Sequence, residues 1–365
     1  MRTGSVQYQC LVMSARINIE QLPTTKASTN ERITNSIIIA IVHNSSLARS
    51  LAKLPMIAQN PVRPTSVDAS IIIPSYNAQE HIGASLEALN EQNTKYQYEV
   101  LVVDCSETSD VSEICAKYPH VTLLRESERF LPGKGRNIGA AAATGNLLLF
   151  VDSDVTLMPN AIDAAVRYYL DGNNAFGGSL ELNEDKANGV SPYVEHYFFN
   201  HEAHKKRPTS QRANLSSALM AIDRNLFLTH NGFKDIPRMQ DTEFTERLAR
   251  SGEKLTFTPS VVGWQIHDSP MKKVLKKIFI NGNNLYYIRY KDASKLKQFA
   301  IFLFLPAIAM FKIIRIFARH MRYQSVQQRI KTIKISPFLI AGGGYWMAGL
   351  YRAFFTRQGI GTARE

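Results

Sequence analysis

The chain has 365 residues, of which 45% are hydrophobic and 20% are charged, and this composition excludes an intrinsically disordered protein. Its net charge of +12 is concentrated in residues 270–365, which contain 18 basic and two acidic residues. We therefore expect this region to meet an anionic surface, which is either a membrane or a nucleic acid.

Residues 1–66 carry weak structural signals. We predict a strand over Ile37–Val42 and a helix over Leu47–Leu54, and three prolines between residues 55 and 64 then indicate a linker. No charged start followed by a long apolar run and a cleavage site is found, so we expect no signal peptide. The three cysteines of the chain are too few for a disulfide framework, which favours a reducing compartment. We interpret residues 1–66 as a poorly ordered or accessory extension.

From residue 69 onward, buried-type strands alternate with helical patterns. Such spacing indicates an α/β fold with a doubly wound, mostly parallel sheet flanked by helices. Ligands of these sheets bind beyond the carboxyl ends of the strands, where this sequence has polar residues. The predicted strands are Ala69–Ile73, Tyr98–Val103, Val121–Leu124 and Leu147–Val151. The predicted helices are Ala78–Asn90, Ser109–Tyr118 and Ile138–Thr144.

Residues 155–268 have a less regular pattern. We predict a helix over Thr242–Ser251 and short strands over Leu255–Phe257 and Val261–Ile266. The segment Tyr193–His204, rich in aromatic residues and histidines, either packs in the core or lines an acceptor site, and we favour core packing.

Two carboxylates, Asp152 and Asp154, stand two residues apart after the fourth predicted strand. In an extended chain both side chains point to the same side. Close carboxylates repel each other unless a cation or hydrogen-bond donors neutralise them. Because hard oxygen ligands suit Mg²⁺ and Mn²⁺, we expect a divalent metal carrying a diphosphate at this position.

Several motifs follow one another between residues 69 and 268. They are Ile71–Asn77, Val102–Asp104, Pro132–Gly139, Asp152–Asp154, Gly232–Phe233, Gln240–Glu243 and His267. In order and spacing, this set resembles the inverting, nucleotide-sugar-dependent glycosyltransferases of family 2, which have the GT-A fold. The resemblance implies a nucleotide-sugar-binding half over residues 67–154 and an acceptor-binding half over residues 155–269.

The resemblance implies that the first two strand ends hold the nucleotide. Pro74, Tyr76 and Asn77 would form the turn around the base, and the Tyr76 ring could stack on it. Asp104 would accept hydrogen bonds from the base or ribose; its alternative role is to cap the next helix. The sequence after Asp104 departs from the family's usual Asp-Gly-Ser, which leaves the base contacts open.

Further roles follow from the same resemblance. Arg136 would contact the donor or support the metal-binding acids, and both alternatives stay open. Asp152 would contact the donor and share a metal with Asp154. His267 follows a predicted strand, as a third metal ligand does in similar enzymes, although a lone histidine is usually structural.

Asp241 is the candidate general base. In the family this position opens a helix and faces the acceptor hydroxyl, from which a carboxylate takes the proton. Its alternative role is that of an N-cap, with Glu243 and Glu246 as solvated helix acids. We expect a single displacement with inversion, assisted by Mn²⁺ or Mg²⁺, from a nucleotide-sugar donor.

Two uncharged runs, Gln298–Phe311 and Ile335–Tyr351, lie within the basic region 270–365. Each is shorter than the roughly 20 residues that span a bilayer. The basic residues between them would lie outside if each run crossed once, against the positive-inside tendency. We therefore favour helices lying in the cytoplasmic leaflet of an anionic membrane over a spanning hairpin or a buried packing. Aromatic residues inside apolar runs, rather than along a basic groove, disfavour nucleic acid.

We expect a membrane-associated glycosyltransferase at the cytoplasmic face of the cell membrane. Its acceptor would be a lipid-linked saccharide or a glycan. No Gln-x-x-Arg-Trp motif of processive synthases occurs, so we expect one sugar per encounter. The alternatives are an inactive membrane scaffold with the GT-A fold and, with less support, a sugar nucleotidyltransferase.

Overall fold

The computed structural model describes residues 67–357 and 359–360. The strand and the helix predicted at Ile37–Val42 and Leu47–Leu54 lie outside the described residues. Within them, a central sheet with flanking helices is followed by three C-terminal helices.

Nine strands of the described residues form one sheet. They are β1 (Ala69–Ser75), β2 (Tyr98–Asp104), β3 (Val121–Arg125), β4 (Leu147–Val151), β5 (Val155–Leu157), β6 (Ala175–Leu182), β7 (Ser210–Gln211), β8 (Leu219–Asp223) and β9 (Thr256–Gln265). The order is β3-β2-β1-β4-β8-β6-β9-β5, and β7 pairs with β9. Strands β1 to β4 are parallel, whereas β8 is antiparallel to β4 and β6. The predicted α/β fold is confirmed, and all four predicted parallel strands are present.

Ten α-helices of the described residues surround and extend this sheet. They are α1 (Ile82–Asn90), α2 (Asp110–Cys115), α3 (Pro132–Ala142), α4 (Ala161–Leu170), α5 (Ser191–Asn200), α6 (Arg224–Thr229), α7 (Gln240–Arg250), α8 (Met271–Arg289), α9 (Lys295–Tyr323) and α10 (Val326–Thr356). A short 3₁₀ helix covers Glu184–Lys186. Strands β1 and β4 are almost completely buried between the helix layers, which explains their continuous apolar sequences.

The predicted starts of α1 and α3 differ most from the structure. Helix α1 begins at Ile82 rather than Ala78, and Asn77 before it has a left-handed φ of 49°. Helix α3 begins at Pro132 and therefore contains the whole segment Gly133–Gly139. A proline fits the first turn because its missing N–H needs no helical partner there. A Cβ atom on Gly139 would overlap Ile72 of β1, so this glycine lets α3 lie against the sheet.

The second half of the sheet contains elements that the sequence pattern does not reveal. The two predicted short strands are one continuous strand, β9. Strand β6 was not predicted, because Gly177 and Gly178 weaken its strand signal. A Cβ atom on Gly178 would lie 2.7 Å from the carbonyl oxygen of Val261 in β9, so the close strand pairing requires glycine.

The C-terminal region differs from the prediction of two short apolar segments. Helix α9 is continuous through Pro306 and, with 29 residues, is long and apolar enough to cross a membrane. A proline leaves the carbonyl four residues earlier without its helical donor. The Tyr351 hydroxyl donates to that carbonyl of Phe302 at 3.2 Å. In α10, the Ser336 hydroxyl donates to the Ile333 carbonyl at 2.8 Å and compensates in the same way for Pro337.

Helices α8 and α10 pack through reciprocal glycines. A Cβ atom on Gly349 would overlap the Phe279 carbonyl oxygen, and one on Gly282 would overlap the Trp346 carbonyl oxygen. The Asn283 amide donates to the Gly349 carbonyl at 3.3 Å. This backbone-to-backbone contact fixes α8 against α10, and α8 in turn forms one wall of the cleft described below.

Candidate active site

A cleft of about 1590 Å³ lies at the carboxyl ends of β1 and β4. The cleft is lined by the turn after β1, the start of α3, the segment after β4, the start of α7, the end of β9 and part of α8. It brings together most of the residues that the sequence singles out. These are Pro74, Tyr76, Asn77, Arg136, Asp152, Asp154, Asp241 and His267.

Asp104 is the exception among the candidate site residues, because it does not line the cleft. Its carboxylate is fully buried at the end of β2. Arg125 forms an ion pair with one oxygen, and the Ser106 hydroxyl donates to the other at 2.6 Å. The Ser106 oxygen accepts the Asn77 backbone N–H at 2.7 Å. Asp104 therefore reaches the base-binding turn through Ser106 in this structure, and its direct contact with a ligand stays a prediction.

Asp152 and Asp154 follow β4 and have different partners. Asp152 forms an ion pair with Arg136. Asp154 accepts a hydrogen bond from the Gln265 side chain at 3.2 Å. Burial, together with the neighbouring charge of Asp152, raises the pKa of Asp154 to about 7. A desolvated carboxylate of this kind binds a cation well, because the cation relieves the cost of ionisation.

Arg136 is only 2% exposed, although it borders the cleft. Its guanidinium lies 5.8 Å from the centre of the Phe233 ring. Within the described residues, its Nε and Nη1 atoms have no hydrogen-bond partner. A buried guanidinium nitrogen without a hydrogen-bond partner lowers the stability of the folded protein. Arg136 therefore supports Asp152 and also retains two donors, which fits both roles that the sequence left open.

His267 is 8% exposed and lies two residues after the end of β9. Its Nδ1 lies 3.7 Å from Oε2 of Glu195, and its Nε2 has no hydrogen-bond partner among the described residues. Burial lowers the pKa of His267 to about 4, so the ring is neutral. A neutral imidazole with a free buried nitrogen, beside carboxylate oxygens, is a donor set that suits Mn²⁺.

A tighter group of potential ligands lies in the same cleft. Glu80, His81 and Asp268 each place one ligand atom within 4.8 Å of the others. Within the described residues, this is the one group of at least three His, Cys, Asp or Glu side chains whose ligand atoms all lie that close together. Asp154 and His267 also border the cleft, but they do not belong to a trio whose ligand atoms lie within 4.8 Å of one another. The metal site predicted at Asp152, Asp154 and His267 therefore stays a prediction.

Buried polar residues that sequence reasoning missed hold these side chains. The Lys277 ammonium donates to Glu195 at 2.5 Å and thereby ties α8 to the carboxylate beside His267. The Asn200 amide donates to Gln265 at 2.8 Å, and Gln265 holds Asp154. One sequence signal was available for Gln265. It stands two residues before His267 at a strand end, where alternate side chains share a side.

Asp241 lies in the first turn of α7, as predicted. Its alternative role as the N-cap is wrong, because the N-cap is Met239, which has a left-handed φ of 63°. Asp241 accepts backbone N–H groups from Thr242 at 2.7 Å and from Ser217 at 3.3 Å. Burial raises its pKa above the usual aspartate range. These two N–H groups fix the orientation of the carboxylate, which borders the cleft.

The turn after β1 presents an aromatic face. The Arg129 guanidinium lies 4.5 Å from the centre of the Tyr76 ring, and the Tyr76 hydroxyl donates to Glu107 at 3.1 Å. Both Tyr76 and Arg129 border the cleft. An aromatic ring beside a planar guanidinium is an arrangement that can hold a nucleobase by stacking.

The segment Tyr193–His204 mostly packs in the core, as favoured from the sequence. Tyr193, Tyr197 and Phe198 belong to the buried cluster between α5 and the C-terminal helices. From this segment, Glu195, Phe199 and Asn200 border the cleft.

Comparisons with known proteins fit this geometry. Residues 70–230 match the model of the family described as "Glycosyl transferase family 2". An uncharacterized glycosyltransferase of Haemophilus influenzae is 29% identical over 192 residues, which are 52% of this chain and 64% of that protein. Glycosyltransferase AglE of Haloferax volcanii is 28% identical over 243 residues, which are 63% of this chain and 76% of that protein.

One solved structure has a similar fold over most of its length. It is the mannosyltransferase PcManGT from Pyrobaculum calidifontis in complex with GDP-Man and Mn²⁺. The TM-score is 0.51 with 18% sequence identity, and the match covers 89% of this chain and 97% of that one. At this identity the likeness shows a shared fold alone.

Proposed function

Because this chain belongs to glycosyl transferase family 2 and has the GT-A fold, we propose that it transfers one sugar from a nucleotide-sugar donor to an acceptor hydroxyl group, with inversion. The observation that carries this proposal is one cleft bordered by Asp152, Asp154, Arg136 and Asp241. The first three suit a donor diphosphate and its metal, and the fourth suits an acceptor hydroxyl.

The donor would occupy the sheet side of the cleft. Tyr76 would stack on the base, and Arg136 would offer its two unpartnered nitrogens to the diphosphate. Asp154, with Asp152 and His267, would hold Mn²⁺ or Mg²⁺. When bound, such a metal offsets the charge that develops on the leaving diphosphate. The unpartnered Nε2 of buried His267 supports its place in this set.

Asp241 would act as the general base. Its carboxylate is oriented by the N–H groups of Thr242 and Ser217, and desolvation raises its affinity for a proton. It would accept the proton of the acceptor hydroxyl as that oxygen attacks the anomeric carbon, whose bond to the diphosphate breaks. Cys105, whose burial raises its pKa, has no part in this displacement.

We place this reaction at the cytoplasmic face of the cell membrane, with a lipid-linked saccharide or a glycan as the acceptor. Helix α9 carries many exposed apolar side chains, among them Phe299, Phe304 and Phe311, which are each at least 60% exposed. Exposed apolar surface of this extent indicates an interaction with a membrane or a protein. The basic residues that flank it favour an anionic membrane.

The proposal is tested by the thermal unfolding of the purified protein with UDP-, GDP- and dTDP-sugars, with and without Mn²⁺. One nucleotide class is expected to raise Tm only when Mn²⁺ is present, because a ligand at 100 times its Kd stabilises the native state by about 2.7 kcal/mol. Asp154→Asn should lose this response. Stabilisation by no nucleotide sugar, or equal stabilisation without metal, would contradict the proposal.

A further inference from the structure

The wall of the cleft that α8 forms is cationic. Lys272, Lys273, Lys276 and Lys277 all border it from one helix, α8. We infer that this lysine wall binds the phosphate group of a lipid-borne acceptor. The inference rests on the proposed function, since it names the chemical class of the acceptor used at that site.

The position of these charges indicates a ligand. Lys272 and Lys273 lie in the first turn of α8, which contains no acidic residue and has no side-chain N-cap. Cations near a helix N-terminus oppose the helix dipole and destabilise the helix. Both side chains are exposed, and neither forms an ion pair within the described residues. An anion in the cleft would compensate this unfavourable arrangement.

Lys277, on the same helix, has a structural role. Its ammonium donates to Glu195 at 2.5 Å and to Ser269 at 2.9 Å, so its charge is already neutralised. It lies one helical turn after Lys273. Lys272 and Lys273 have no such ion pair within the described residues, and both border the cleft.

An apolar surface continues from the lysines and identifies the kind of anion. Leu275 and Phe279 of α8 and Tyr345 of α10 border the same cleft. Helix α10 packs on α9, whose apolar face is exposed, and the Tyr351 hydroxyl joins the two. A ligand with a phosphate head and an apolar tail matches both surfaces. A free sugar or a nucleotide would leave the apolar surface without a partner.

The cleft also contains acidic side chains, so it is not a general anion site. Beside α8 these are Glu195, which Lys277 neutralises, and Asp268, which is hydrogen-bonded to His81 at 3.0 Å. Asp152, Asp154 and Asp241 border the sheet side, so an anion there needs a metal or Arg136. The lysine wall lies on the helix side and needs neither. The two walls therefore offer separate sites for two phosphates, one on the donor and one on the acceptor.

The test uses farnesyl phosphate, a soluble probe with a phosphate head and an apolar tail, in the absence of membranes. Replacing Lys272, Lys273 and Lys276 together with Gln is expected to weaken its binding about tenfold or more, because each charge-assisted contact is lost. The same three positions changed to Arg should retain binding. The matched control replaces Lys291, Lys295 and Lys297 with Gln, since these exposed lysines lie outside the cleft and the control should bind the probe normally.

Three further measurements separate the sources of the phosphate. UDP and GDP, each with Mn²⁺, should bind the cleft variant and the unmodified protein equally. An equal loss of nucleotide binding would overturn the inference by assigning the lysines to the donor. Equal weakening of farnesyl phosphate in the control variant would assign binding to general surface charge. Equal competition by farnesol would show that the apolar tail alone binds. If the unmodified protein binds none of UDP, GDP and dTDP with Mn²⁺ but binds farnesyl phosphate through these lysines, the proposed function fails and the lysine site stands.

Discussion

The two walls of the cleft are built in opposite ways. The sheet wall consists of carboxylates at strand ends and at the first turn of α7, each held by neighbouring donors such as Gln265 and the Ser217 N–H. The helix wall consists of lysines on α8, and its position depends on packing against α10. Short motifs at strand ends can therefore place carboxylates in one cleft, whereas the positions of the α8 lysines depend on long-range helix packing.

The largest expected effect concerns the sheet wall. Asp241→Asn should lower kcat by about 10²–10⁴-fold, because general bases contribute this much, while donor binding is retained.

Burial raises the pKa of Asp241, so kcat should rise with pH through a value above the ordinary aspartate range as the base form accumulates. The kcat of purified protein across pH measures both effects. Asp235→Asn, which makes the same change at an exposed position outside the cleft, is the control and should keep normal activity. Near-normal transfer by Asp241→Asn would refute the assignment.

The packing behind the helix wall gives the next effect. Gly349→Ala should lower the free energy of unfolding by about 3 kcal/mol, because the new methyl group overlaps the Phe279 carbonyl. Gly344→Ala is the matched control, since a Cβ atom there meets no atom within 4 Å and alanine favours the helix. Thermal unfolding of both variants checks this. Equal stability of the two would show that α8 and α10 do not pack as described.

The sequence predicted the sheet wall well and the helix wall poorly, for a physical reason. Asp152, Asp154 and Asp241 follow strands or open a helix, so local patterns place them at one edge of the sheet. The position of Lys272 beside the cleft depends on the placement of α8, which packs against α10 through reciprocal glycines. Local sequence also does not reveal that α9 continues through Pro306, because the compensating donor, Tyr351, is distant in sequence.

Glu195 contacts residues of both walls, and its replacement should have a moderate effect on Mn²⁺ binding. Its carboxylate lies near Nδ1 of His267 and binds Lys277 of α8. Glu195→Gln should weaken Mn²⁺ binding about 10- to 100-fold, which is the usual effect of removing a partner of a metal-ligating histidine. Paramagnetic resonance of free Mn²⁺ measures this directly. Glu184→Gln, an exposed acid that pairs with Lys331, is the control. Unchanged Mn²⁺ affinity in Glu195→Gln would remove Glu195 from this role.

The smallest expected effect tests the continuity of α9. Tyr351→Phe should cost about 1 kcal/mol of unfolding free energy, because the Phe302 carbonyl loses the donor that compensates for Pro306. Tyr290→Phe should cost less, since no hydrogen bond of its hydroxyl is found in the described residues. Chemical unfolding of both proteins resolves this difference. A Tyr290→Phe variant that is destabilised more than Tyr351→Phe would contradict the account.

The central claim is that one cleft holds two phosphate sites with different chemistry. The most direct measurement is the affinity of UDP or GDP with Mn²⁺, and of farnesyl phosphate, in two proteins: Asp154→Asn and the triple Lys272, Lys273 and Lys276 to Gln variant. The account predicts that Asp154→Asn loses nucleotide binding alone and that the lysine variant loses farnesyl phosphate binding alone. If each variant weakens both ligands to the same extent, the two walls form one site and the account is wrong.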